Sequence, residues 1–184
     1  SYKGVGANDL LVGTSRGDVL LINGPPGPQV LCGVETVTPE NSFDVLMLAD
    51  SFIVLQDMVI DGGNAGDLIW ANVGNDTIFG NNGVDEIDGG PGDDIIEGGY
   101  GNDTVALWPG SGFDSISGGD GVVDDSILDR VEIGAIQSQI VISPAVDLNY
   151  EFDLFYLGTP MAKIREVELL DMLDASIDLT LCTD

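Results

Sequence analysis

The sequence predicts an all-β solenoid, and three observations predict it. From Gly62 the chain falls into nine-residue words, GGNAGDLIW, ANVGNDTIF, GNNGVDEID, GGPGDDIIE and GGYGNDTVA. After the extra residues Leu107 and Trp108 come PGSGFDSIS and then GGDGVVDDSIL, which carries a two-residue insertion. The sixth place is always aspartate: Asp67, Asp76, Asp85, Asp94, Asp103, Asp114 and Asp125. The eighth is always a β-branched aliphatic: Ile69, Ile78, Ile87, Ile96, Val105, Ile116 and Ile127. One x-Ile-x strand cannot bury its side chain alone, but words stacked at the inter-strand spacing of about 4.8 Å make a continuous aliphatic ladder.

The constant places also specify chemistry. Glycine holds the fourth place in every word but the first, where Ala65 stands. Several glycines within six residues let the backbone turn tightly and aim its carbonyls inward. The aspartate adds a carboxylate beside them. Mixed carboxylate and carbonyl coordination suits a hard cation, and a flexible shell of oxygens suits Ca2+ better than Mg2+. A disordered Gly/Asp-rich linker is the bland alternative, and the periodic aliphatics argue against it.

These words resemble the RTX, or haemolysin-type, calcium-binding repeat, G-G-x-G-x-D-x-U-x. The resemblance implies a parallel β-roll with two nonapeptides per coil and Ca2+ held between successive turns on the same side. It implies that the aspartate side chains ligate, joined by main-chain carbonyls of the first, third and fifth places. Mapped onto this chain, those carbonyls belong to Gly62, Asn64 and Gly66, to Ala71, Val73 and Asn75, and to Gly80, Asn82 and Val84. The series continues with Gly89, Pro91 and Asp93, and with Gly98, Tyr100 and Asn102. If a site needs one turn and the next on its side, seven turns hold roughly five Ca2+.

Charge agrees. The formal net charge is −27, with only five Lys plus Arg, which argues against nucleic acid and anionic membranes as partners. So acidic a chain repels itself when compact, and about five Ca2+ would cancel about ten charges. Folding is therefore expected to be coupled to calcium binding. The 184 residues, 43% of them hydrophobic, suffice for one continuous folded domain. Residues 1–6 show no leader-like pattern, and no apolar run approaches the ~20 residues that span a bilayer. The expected location is secreted or at the cell surface.

Residues 1–61 are expected to form irregular solenoid coils. GVGANDLLV at 4–12 and GTSRGDVLL at 13–21 are weaker words, placing Asp9 and Asp18 in the sixth position and Leu11 and Leu20 in the eighth. They predict a first coil with a weaker metal site. Arg16-Gly17-Asp18 spells an adhesion-type tripeptide, but the register already accounts for the aspartate. Asn75-Asp76-Thr77 and Asn102-Asp103-Thr104 fit the glycosylation acceptor pattern only by lying in the turns. The proline-rich NGPPGPQ at 23–29 is a loop. The apolar runs after it keep a D-x-U spacing without glycines, as Asp44 with Leu46 and Asp57 with Val59, and read as degenerate coils. A helix over 44–60 competes, because short apolar runs do not separate the two.

Residues 62–128 are the roll, and 129–184 read as a β cap. IQSQIVIS at 136–143, YEFDLFYLG at 150–158, KIREVELLDML and ASIDLTL alternate as strands do. Val167, Glu168 and Leu170, then Ile177, Asp178 and Leu179, match the text that ends many RTX arrays. A cap keeps the last coil from exposing its ladder and an unpaired edge. In type I-secreted relatives the export signal also lies at the C-terminus, so this segment is placed to serve both ends. Cys32 and Cys182 would close a long loop as a disulfide, worth about 4 kcal/mol in the chain-entropy model; two buried thiols are the alternative.

Catalysis has little support. With no histidine, imidazole-based triads and His-ligated zinc are excluded. The repeat already accounts for the carboxylate pairs. Trp70, Tyr100, Trp108 and Phe113 are candidates for a sugar-binding face. Three functional readings stand. The first is a non-enzymatic, calcium-stabilised extracellular module with a structural, adhesive or surface-layer role, meeting a cell-surface or polysaccharide partner. The second is an accessory repeat module of a secreted enzyme, epimerase-like or serralysin-like. The third is a subunit that self-associates into a Ca2+-dependent filament or layer.

Overall fold

The computed structural model describes residues 9–12, 19–21, 34–38, 45–47, 57, 59–64, 66–71, 73–119 and 128–179. Among the described residues each aliphatic of the repeat lies in a short strand of three to six residues. In chain order the strands are β1 (Asp9–Val12), β2 (Val19–Leu21), β3 (Val34–Thr38), β4 (Val45–Met47), β5 (Val59–Asp61) and β6 (Leu68–Trp70). Then come β7 (Thr77–Asn82), β8 (Glu86–Asp88), β9 (Ile95–Tyr100), β10 (Thr104–Leu107), β11 (Asp114–Ser117) and β12 (Arg130–Ile133). The C-terminal part adds β13 (Ile140–Pro144), β14 (Phe152–Tyr156), β15 (Thr159–Arg165), β16 (Leu169–Met172) and β17 (Ala175–Asp178).

From β1 to β12 successive strands alternate between two sheets. One has the order β1-β3-β5-β7-β9-β11-β15-β14-β13 and the other β17-β16-β12-β10-β8-β6-β4-β2. Pairing is parallel from β1 to β15 and from β2 to β16, as it must be when each coil repeats the one before. Among the described residues only the β13–β14–β15 meander and the β16–β17 hairpin are antiparallel. The chain is thus an all-β parallel roll, and its final coil carries a hairpin inserted between β12 and β15.

Register follows the aliphatics. In the first sheet Ile60, Ile78, Ile96, Ile116 and Ile164 stand one above another. In the second, Ile69, Ile87, Val105, Val131 and Leu170 do the same. All ten are almost wholly buried. Burying each such side chain stabilises the fold by about 1.5–3 kcal/mol relative to leaving it exposed. The weaker N-terminal words keep the same backbone register: Leu11 pairs with Val37 and Leu20 with Leu46, which pairs with Ile69.

One open alternative is settled and three expectations change. Within 44–60, Val45–Met47 and the start of β5 are strand, not helix. The aliphatic of β5 is Ile60 rather than Val59, which is 41% exposed, so the Asp57–Val59 spacing is one residue short of the register. The strand expected from 136 starts at Ile140, because a 3-10 turn at Gln137–Gln139 comes first. After Val105 the next rung is Val131, whereas Asp125 and Ile127 lie outside the described residues. Cys32 and Cys182 also lie outside them.

Candidate metal centre

The roll has two rows of turns. The first row holds residues 62–67, 80–85 and 98–103, and the second holds 71–76, 89–94 and 109–114. Two-residue alternation along each strand sends the aliphatic inward, and the aspartate two places before it points inward as well. Asp67, Asp76, Asp85, Asp94, Asp103 and Asp114 are accordingly only 1–3% exposed.

In the first row these carboxylates form a chain of contacts from coil to coil. The Asp67 N–H donates to Asp85 Oδ1 (2.7 Å), the Asp85 N–H to Asp103 Oδ1 (2.8 Å), and the Asp103 N–H to Asp129 Oδ1 (2.8 Å). The Asp129 N–H then donates to Glu168 Oε2 (2.8 Å). In the second row the Asp76 N–H donates to Asp94 Oδ1 (2.8 Å) and the Asp94 N–H to Asp114 Oδ1 (3.0 Å). That row ends there, since β15 presents the buried Ala162 opposite Asp114.

Each contact uses one carboxylate oxygen. The other, Oδ2, is buried without a hydrogen-bond partner in Asp85 and Asp94. A buried acceptor left in this state is costly, and an ionised one more so. The electrostatics record the cost: burial pushes the Asp85 carboxyl up to about 6 and Asp114 to about 6. For Asp94, burial first and then the neighbouring Asp114, Asp76 and Asp88 carboxylates push it to about 7. In each case the donated backbone N–H opposes the rise without cancelling it.

The glycines leave room beside these oxygens. A methyl group on Gly62 would lie 2.8 Å from the Gly80 carbonyl oxygen and 3.0 Å from Asp67 Oδ2. On Gly98 it would lie 2.6 Å from Asp103 Oδ2 and 2.7 Å from the Gly118 carbonyl oxygen. A first-place side chain would therefore fill a space bordered by a carboxylate and by the next coil's carbonyl. Gly101 serves the turn itself. At φ +136 its backbone is left-handed, and a Cβ there would overlap the Gly83 carbonyl.

The remaining places bind coil to coil. At the fifth place of the second row the Asn75 N–H donates to Asp57 Oδ1 (2.8 Å), Asp93 N–H to Asn75 Oδ1 (2.9 Å), and Phe113 N–H to Asp93 Oδ1 (2.9 Å). This series runs opposite to the sixth-place one. At the third place the Pro91 and Tyr100 carbonyls accept the Gly74 and Gly83 N–H groups (3.1 and 2.8 Å), and the Asn82 amide donates to Asn64. Each carbonyl keeps a second lone pair.

Among the described residues no three His, Cys, Asp or Glu side chains converge on a common point. A cation here would draw on few carboxylates and several carbonyls, and the hard, all-oxygen donor set fits Ca2+. Asp18 and Asp125 lie outside the described residues, and Asp9 is described only as the first residue of β1. Asp129 and Glu168 enter the series unforeseen. Asp129-x-Val131 and Glu168-x-Leu170 keep the spacing of acid and aliphatic, which is the signal that could have found them.

A model of the RTX calcium-binding nonapeptide repeat (4 copies) matches residues 61–96 and 79–111. Residues 61–111 are RTX calcium-binding repeats. No curated protein matches the chain. The RTX segment forms the middle coils of a calcium-binding β-roll, and the backbone-to-carboxylate series continues beyond it to Glu168.

Proposed function

We propose that the chain is a non-enzymatic, extracellular RTX module that folds and rigidifies on binding several Ca2+, about five, in a structural, adhesive or surface-layer role. The observation that carries this reading is the pair of buried, unpartnered Oδ2 atoms of Asp85 and Asp94, in a chain with net charge −27. The aspartates of both rows would hold the ions, together with first-, third- and fifth-place carbonyls. Bound Ca2+ supplies the positive charge and the multiple oxygen bonds that these acids lack. The three stretches 1–61, 62–128 and 129–184 then act as one continuous domain.

An extracellular placement would supply the calcium that this reading needs. Calcium modules tuned to millimolar surroundings bind at about 10⁻⁴–10⁻³ M, a range that leaves them empty in a cytosol. RTX repeats are typical of secreted proteins, and no helix among the described residues is long and apolar enough to cross a membrane.

The test is a calorimetric Ca2+ titration of chelator-stripped protein, with circular dichroism on the same samples. Several ions per chain, bound as β structure and thermal stability appear, are the expected result. No binding at millimolar Ca2+, or a full β spectrum already present in chelator, would overturn the reading.

A further inference from the structure

The break in the nine-residue period at Leu107 and Trp108 creates a groove of about 510 Å3 beside the second row of turns. Leu107 is buried and anchors the insertion, while Trp108 is 54% exposed. Its ring is fixed rather than free. The indole Nε1 donates to Asp88 Oδ2 (3.1 Å), and the Gly90 N–H holds the other oxygen of that carboxylate (3.0 Å). A methyl on Gly134 would come within 2.6 Å of the Trp108 ring, so the ring also lies against that glycine. A large apolar side chain held in solvent by two other elements is placed for contact.

Among the described residues the groove is lined by Trp70, Val73, Pro91 and Trp108, with Asp88 and Ser111 as its polar side chains. A sugar needs several donors and acceptors matched to its hydroxyls. Here the Ser111 hydroxyl faces Asp114 (3.4 Å), and Asp88 already accepts two internal hydrogen bonds. What the groove offers instead is aromatic surface, a carboxylate and no basic side chain, in a chain with net charge −27. Indole faces attract cations, and the surrounding field concentrates them. Ca2+ itself requires an oxygen shell that two tryptophans do not provide.

We propose that the Trp70–Trp108 groove binds a small organic cation bearing a guanidinium or alkylammonium group, its charge set against Asp88 and its carbon skeleton against the two indoles. This site uses side chains, but it borders the second row of turns and shares Val73 and Pro91 with it, so it is tested with the calcium sites filled.

Trp70 and Trp108 are the chain's two tryptophans, so intrinsic fluorescence reports on the groove directly. Calcium-saturated full-length chain is titrated with argininamide, and in parallel with uncharged methyl glucoside. A saturable, one-to-one fluorescence change with argininamide alone is expected. Asp88→Asn should weaken it about tenfold and Trp108→Phe should abolish most of the signal. Glu97→Gln removes the same charge from an exposed position on β9 and should leave binding unchanged. Calcium-dependent circular dichroism of each variant confirms the fold, and Trp108→Phe tests the site if Asp88→Asn does not fold. Absence of saturation, equal or tighter binding of the glucoside, or equal weakening by Asp88→Asn and Glu97→Gln would overturn the proposal.

Discussion

Asp85 separates two roles that the sequence merges into one letter. Its Oδ1 accepts the Asp67 N–H, while its Oδ2 is buried without a partner. Asp85→Asn keeps the acceptor and removes the charge. The metal-free roll should then lose nothing in thermal stability, while Ca2+ binding at that turn weakens by at least about 10–100-fold, read as lost calorimetric stoichiometry. Proton linkage gives a second prediction. Asp85, Asp94 and Asp114 rise from 3.8 to about 6, 7 and 6 in the folded, metal-free chain. Folding therefore takes up protons between these values, so the metal-free stability is fully present below 3.8 and is lost as pH rises through 6–7. In chelator the melting temperature should be higher at pH 5 than at pH 8, whereas Ca2+ affinity should fall on the same acidification. A chelated sample that melts higher at pH 8 contradicts the assignment.

At the scale of the strand, the aliphatic stack and not the strand's length decides stability. Ile96 is buried between Ile78 and Ile116, so Ile96→Ala should cost about 2–5 kcal/mol, and in calcium the denaturation midpoint should drop accordingly. Val59→Ala, at an exposed position one residue from the same stack, should stay within about 0.5 kcal/mol. The stack is legible in the sequence wherever glycine punctuates it, from Ile69 to Ile116. Where glycine is missing, as around Asp57, spacing alone cannot tell Val59 from Ile60, because both are aliphatic and only packing separates them. The 3-10 turn at Gln137–Gln139 is hidden for a related reason: alternation continues through it.

Across the whole molecule, the long-range order comes from a rule that survives insertions. Asp129 lies 26 residues after Asp103 and Glu168 lies 39 after Asp129, yet each meets its predecessor as Asp85 meets Asp67 across 18. A fixed nine-residue period cannot follow these jumps, and it puts the seventh word on Asp125. The acid-x-aliphatic pairing that persists through Glu168 is in the sequence but has no period to announce it. Glu168→Ala should release the Asp129 amide, seen as faster hydrogen exchange at Asp129 and Asp103 than at Asp67, with Glu168→Gln retaining protection. Uniform exchange in the alanine variant would show that Glu168 only caps the end.

The direction of these hydrogen bonds bears on how the chain is made. In the first row every aspartate amide looks for its acceptor in a coil that comes later in the chain, and the last acceptor is Glu168. A ribosome delivers the coils in the opposite order to their dependence. During synthesis each new turn therefore closes the latch of the turn before it, and the first-row series stays open at its end until Glu168 has emerged.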